Sequence, residues 1–131
     1  MSAAAKRVED RAAAVSGFVE SLREPRTPYI SPKRISEALG VQVTSLAGLA
    51  GVHRNTLRNP ASERLQDKLR EMVKAISAAA SLTGDIDKAL YWYRNEPIAD
   101  YGFKTAAELV AEGHLDAVLT YLRDLENGAA G

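Results

Sequence analysis

Between residues 62 and 82 the chain sets Leu65, Leu69, Met72, Val73, Ile76 and Ala80 at helical intervals, with no proline or glycine among them. Only an α-helix gathers positions so spaced onto one side; a strand would need them at every second residue. Ser62 supplies the N-cap oxygen for such a helix, and Thr83-Gly84-Asp85 ends it and caps the next. About six turns with a continuous apolar stripe do not persist alone in water, so other elements must lie against it. Arg64, Lys68, Arg70 and Lys74, with Glu63, Asp67 and Glu71 at pairing distance, read as its solvated face.

The same period recurs along the chain, and no stretch alternates with a period of two, which predicts an all-α fold. Residues 3–23 carry Val8, Ala12, Val15, Phe18 or Val19, and Leu22 on one stripe, ended by Glu24-Pro25-Arg26-Thr27-Pro28. Ser31-Pro32 reads as N-cap and first helical position of a second helix, with Ile35, Ala38 and Leu39 inward and Gly40 as its stop. Asp85 starts a helix that Asn95-Glu96-Pro97 breaks, with Ile86, Leu90 and Tyr93 or Trp92 along one side. Thr105-Ala106-Ala107-Glu108 is a capping box opening a short helix that Gly113 ends. A last helix over about 115–127 has Leu115, Val118, Leu119, Leu122 and Leu125 as its core face.

At 131 residues this is one domain, or two small ones sharing a core. Much of the apolar content is alanine, so the core is thin and a partner or second copy is expected to add stability. The chain has no cysteine, no apolar segment after Lys6 and Arg7, and no run approaching a membrane span, which favours the cytoplasm. The zero net charge conceals a division. Residues 1–82 carry 13 Lys and Arg against 8 Asp and Glu, a balance of +5; residues 83–131 carry 4 against 9, a balance of −5. Unequal halves of this size suggest one polyanionic and one basic partner, although they also arise by chance.

The stretch 44–58 has the spacing of a helix-turn-helix. Leu46, Ala50, Val52 and Leu57 close on one side, Ala47 is small where a second helix crosses, and Gly51 supplies the positive φ of a three-residue turn. Any tight helical hairpin has similar needs. Its exposed residues suit nucleic acid: Arg54 and Arg58 for phosphates or guanine edges, Asn55 for adenine, Thr56 for a phosphate or thymine methyl. Thr44, Ser45 and His53 complete the candidate DNA-binding set. His53 stands where Ser or Thr usually caps, so a helix-end N–H is expected to be poorly satisfied. Asn59-Pro60 limits the second helix to about five residues, so useful affinity calls for more than one copy on an operator.

With these residues in place, the chain resembles antitoxins of the Xre/MbcA/ParS group, the ParS-type members most of all. The group's Ala-Leu-x-Trp opening matches Ala89, Leu90 and Trp92, and its Pro and Gly-x-x-Thr elements match Pro97, Gly102 and Thr105. The Glu-Leu-Val/Leu-x-x-Gly run matches Glu108, Leu109, Val110 and Gly113, and the closing Leu-x-x-Leu-x-x-Gly matches Leu122, Leu125 and Gly128. The chain departs from the pattern at Ala106, usually Pro, and at Asp100-Tyr101, where an apolar residue is common. The resemblance implies an N-terminal helix and linker over 1–30, an Xre-like helix-turn-helix domain over 31–83, and a helical toxin-binding domain over 84–131.

The function so implied is that of a type II antitoxin. Its partner would be a cognate RES-domain toxin that hydrolyses NAD or transfers ADP-ribose, and its C-terminal region would cover the toxin's NAD pocket. The complex would bind its own operator DNA, with the antitoxin dimeric inside a hetero-oligomer. Candidate toxin-binding residues are Trp92, Tyr93, Asn95, Glu96 and Pro97, then Tyr101 and Phe103. On the last helix they are Leu122, Asp124, Leu125, Glu126 and Asn127. The small tail Gly128, Ala129, Ala130 and Gly131 can thread a narrow cleft, or simply fray. An acidic plug suits a pocket built to hold a pyrophosphate. No catalytic constellation is expected: the two histidines, His53 and His114, sit far apart at helix starts, Asp85 and Asp87 suit a helix dipole, and there is no metal-ligand cluster, phosphate loop or cofactor motif. The competing reading is a stand-alone helix-turn-helix repressor whose C-terminal half dimerises or senses a ligand.

Overall fold

The computed structural model of the chain describes residues 2–128. Its architecture is all-helical, with helices α1 (Ala3–Ser21), α2 (Pro32–Leu39), α3 (Val43–Ala50), α4 (Glu63–Thr83), α5 (Ile86–Asn95), α6 (Ala106–Ala111) and α7 (Leu115–Gly128). Short 3-10 turns cover Arg54–Arg58 and Ala99–Tyr101. Among the described residues the only extended pairings are two isolated antiparallel bridges, Arg23 with Ile30 and Ile98 with Lys104.

The boundaries follow local chemistry. Ser31 Oγ accepts from Arg34 N–H, Ser62 Oγ from Leu65 N–H and Asp85 Oδ1 from Lys88 N–H, each meeting an end N–H the helix cannot satisfy. At α6 the capping box is complete: Thr105 Oγ1 accepts from Glu108 N–H, and Glu108 Oε1 accepts from Thr105 N–H, both at 3.1 Å. Gly40, Gly51 and Gly84 end α2, α3 and α4 in the left-handed conformation.

Helix α4 is the spine: α1, α3, α5, α6 and α7 all pack on it. Its expected stripe is buried throughout, and Gln66, Ala75 and Ala79 are buried as well, so the helix is enclosed on more than one side. Burying a Leu, Ile or Met side chain contributes about 1.5–3 kcal/mol, so this helix anchors the fold. One continuous core runs from Leu22 through Ile35, Leu46 and Ile76 to Tyr93, Val110, Val118 and Leu122. Both charge-divided halves of the sequence therefore share it.

Gln66 ties the first linker to this spine. Its Oε1 accepts from Ile30 N–H at 2.9 Å, and its Nε2 donates to the carbonyls of Ile30 at 2.9 Å and Pro60 at 2.7 Å. The linker itself doubles back through Glu24 N–H to Tyr29 O and Ser31 N–H to Leu22 O, both 2.8 Å. Arg34 caps the end of α1 by donating to the carbonyls of Ser21 and Arg23.

Three expectations need correction. The stripe of α1 is only half covered: Val15, Phe18 and Val19 pack on the core and Leu22 is buried, but Val8 is 66% exposed and Ala12 is also exposed. The first turns of α1 outrun the helices it lies on. The segment 54–58 is a 3-10 helix, not an α-helix; with Pro60 close behind, too few residues remain for i→i+4 bonds, and Thr56 N–H bonds to His53 O instead. Leu125, expected on the core face of the last helix, is 44% exposed, because the core contact of α7 ends at Leu122.

Candidate functional site

The turn between α3 and the 3-10 helix forms around Gly51. At φ 70° it lets Val52 N–H reach back to Ala47 O at 3.0 Å, closing α3 in a Schellman arrangement. Gly51 also lies directly against α6, where an added Cβ would fall onto the backbone carbonyl of Ala111. His53 then caps the 3-10 helix, contrary to expectation: its Nδ1 accepts from Asn55 N–H at 3.2 Å, so the imidazole does the work of the missing hydroxyl.

Leu46, Ala47 and Ala50 face the core, and Val52 and Leu57 pack partly against it. The opposite side is polar. A cleft of about 500 Å³ is lined by Val43, Thr44, Arg54, Asn55, Leu57 and Arg58, which brings together four of the seven expected DNA-binding residues. Of the other three, Ser45 lines a neighbouring cleft, His53 is an exposed cap, and Thr56 is half-buried. Among the described residues neither Arg54 nor Arg58 forms an ion pair, so their charge is free for a ligand.

Two residues of this face are not in the sequence-derived set. Val43, 41% exposed, forms an apolar part of the cleft wall; its only signal in the sequence is a position beside Thr44 at a helix start. Arg94 comes from α5, lines the cleft with Ser45, and donates to Leu39 O at 3.4 Å. The C-terminal half thus places a cation beside the helix pair, which only tertiary packing reveals.

The second candidate face is aromatic. Trp92 of α5 stacks on Tyr121 of α7 with ring centres 6.5 Å apart and planes 6° from parallel. Tyr101 meets Tyr121 edge-on at 6.3 Å. These geometries suit the ring quadrupoles and join α5, α7 and the 98–104 loop. Beside them a groove of about 480 Å³ is lined by Thr83, Asp87, Lys88, Tyr91, Trp92 and Glu96. Tyr91 and Tyr121 belong to this face but were not singled out from sequence, although helical spacing relates Tyr121 to Leu125 one turn on.

The expected toxin-binding residues divide. Asn95, Glu96, Pro97, Phe103, Asp124, Leu125, Glu126, Asn127 and Gly128 are exposed, and Trp92 and Tyr101 are half-buried. Asn95 Nδ2 donates to Tyr91 O at 3.1 Å. Tyr93 and Leu122 are core residues, 0% and 6% exposed, so neither side chain reaches a partner from the folded surface. Tyr93 turns inward because Ala89 and Tyr93, one turn apart, form the buried face of α5. Among the described residues its hydroxyl has no hydrogen-bond partner, and burial, with the Glu71 carboxylate adding, pushes it well above the usual tyrosine range. Ala129, Ala130 and Gly131 lie outside the described residues.

Among the described residues no group of three or more His, Cys, Asp or Glu could hold a metal ion, and no helix is long and apolar enough to cross a membrane. No family model, curated protein or solved structure matches the chain.

Proposed function

We propose that this chain is a type II antitoxin of the Xre/ParS kind. Its helix-turn-helix holds operator DNA, and its C-terminal half docks on a cognate RES-domain toxin and covers the toxin's NAD pocket. In this reading the protein is not an enzyme and needs no cofactor. The observation that carries it is that one core supports two dissimilar exposed faces. One is a cleft with the unpaired cations Arg54 and Arg58 beside Asn55 and Thr44. The other is an aromatic face around Trp92 and Tyr121 in the acidic half of the chain. Phosphate takes the first, and a cationic protein surface the second.

Because the 3-10 helix 54–58 presents so few side chains, operator binding calls for two copies, and a dimer inside the toxin–antitoxin assembly supplies them. The last residues are the plug. Asp124, Glu126 and Asn127 are exposed at the end of α7, and Gly128 to Gly131 follow.

The test is co-expression with the neighbouring reading frame and measurement of NAD in cells. The full chain should restore NAD, and a chain ending at Glu126 should still copurify with the toxin yet fail to restore it. Equal protection by the shortened chain sinks the plug. The competing reading, a repressor without a toxin, draws on the seating of α6 on Gly51, which folds the C-terminal half against the helix pair. A chain that binds operator but has no toxin-encoding neighbour establishes that reading instead.

A further inference from the structure

The loop between α5 and α6 is held at both edges. Ile98, 2% exposed, bridges to Lys104, with Ile98 N–H donating to Lys104 O at 2.8 Å. Lys104 Nζ is in turn gripped by both carboxylate oxygens of Glu112, at 2.7 and 2.9 Å. Between these pins Gly102 and Phe103 both adopt left-handed backbone, φ 69° and 62°. Glycine takes that conformation without strain, whereas phenylalanine does not.

Phe103 is nevertheless 71% exposed, the most exposed large apolar residue among those described. Its backbone N–H closes the turn onto Ile98 O at 2.9 Å, a bond glycine would make equally well. Phe103 is also not among the residues packed on the core, so the free fold gains little from the ring and bears the strain of its backbone. Strain kept without a folding benefit points to a use outside the fold, and a rigid aromatic presented on a fixed loop is the kind of side chain that dominates protein interfaces. The loop's charge qualifies the partner: Lys104 is neutralised by Glu112, while Glu96 and Asp100 are exposed and form no ion pair among the described residues.

We infer that Phe103 is the anchor of the partner-binding surface, a fixed knob that enters an apolar pocket with a cationic rim on a partner protein. That the partner is the cognate toxin rests on the antitoxin reading above.

The experiment compares Phe103→Gly and Phe103→Ala with the parent chain in two measurements. One is thermal unfolding of the free protein. The other is affinity for the purified, catalytically inactivated product of the adjacent RES-domain reading frame, followed by the fluorescence of the single Trp92. Phe103→Gly removes ring and strain together, so its Tm should rise by about 2–4 °C while the Kd weakens about thirtyfold or more. Phe103→Ala removes the ring but keeps the strain, so its Tm should move by about 1 °C or less while the Kd weakens as much. A fall in Tm for Phe103→Gly makes the ring structural and overturns the inference. So does an unchanged Kd in both variants while the parent binds, which leaves the antitoxin reading standing. If the parent chain itself does not bind the toxin, both fall.

Discussion

Gly40 and Gly51 form a matched pair for measuring how firmly the two halves are joined. Their φ angles are 71° and 70°, and they end adjacent helices in the same conformation. A Cβ on Gly40 would meet nothing within 4 Å; one on Gly51 would strike the Ala111 carbonyl, with that residue's C at 3.1 Å and Cα at 3.2 Å. Left-handed strain for alanine costs about 1–2 kcal/mol, and the stiffer unfolded chain returns about 0.4–1 kcal/mol. Gly40→Ala should therefore lose about 1 kcal/mol. Gly51→Ala adds a backbone-on-backbone overlap that α3 and α6 can relieve only by moving apart, about 1–3 kcal/mol more. In thermal unfolding this separates the two by about 4–10 °C for a chain of this size. Urea titrations with circular dichroism should place Gly51→Ala lower by the same margin at unchanged m. Equal losses within about 0.5 kcal/mol would refute the claim that α6 sits on the turn at Gly51.

Gln66→Ala should cost about 3 kcal/mol in urea unfolding, because three hydrogen bonds vanish and the amide and carbonyl of Ile30 lose their buried partner; a loss below about 1 kcal/mol would mean water replaces the clamp. Tyr93→Phe deletes a buried hydroxyl with no partner among the described residues and should be neutral or stabilising by up to about 1 kcal/mol at neutral pH. Its pH dependence has a definite sign. Below about pH 10 the hydroxyl is protonated in folded and unfolded chains alike, but above it only the unfolded chain ionises readily. Parent stability should thus fall as pH rises past about 10 more steeply than that of Tyr93→Phe, and parallel curves in alkaline urea melts would contradict the burial argument. Replacing both Arg54 and Arg58 with alanine should lower the slope of log affinity against log salt by about 2; an unaltered slope shows that they do not touch phosphate.

The helix boundaries were legible because caps act within four residues. Ser31-Pro32, Ser62, Asp85 and the Thr105–Glu108 box each satisfy a local N–H, whatever the rest of the chain does. The α4 stripe was legible because its period has one interpretation. Periodicity, however, reports that a side is apolar and not what covers it, so the exposed start of α1 at Val8 and Ala12 was hidden. Long-range partners were equally silent: Gln66 reads as one more polar residue on a helix until the linker returns to it. The choice between Tyr93 and Trp92 depended on the rotational phase of α5 against α4, which ten residues of sequence leave open. Of the candidate sites, the cleft residues Thr44, Arg54, Asn55 and Arg58 were readable from motif spacing, whereas Val43 joins them, and Arg94 joins Ser45 in the neighbouring cleft, only through folding.

Helix α4 lies beneath both halves, so neither has a floor of its own. Unwinding α7 from the end of the chain strips Val118 and Leu122 off the same helix whose other sides seat α1 and α3. Openings in one half therefore propagate to the other as a single cooperative event. Proteolysis that exploits such an opening removes both candidate faces at one stroke, and their cellular lifetimes are one quantity.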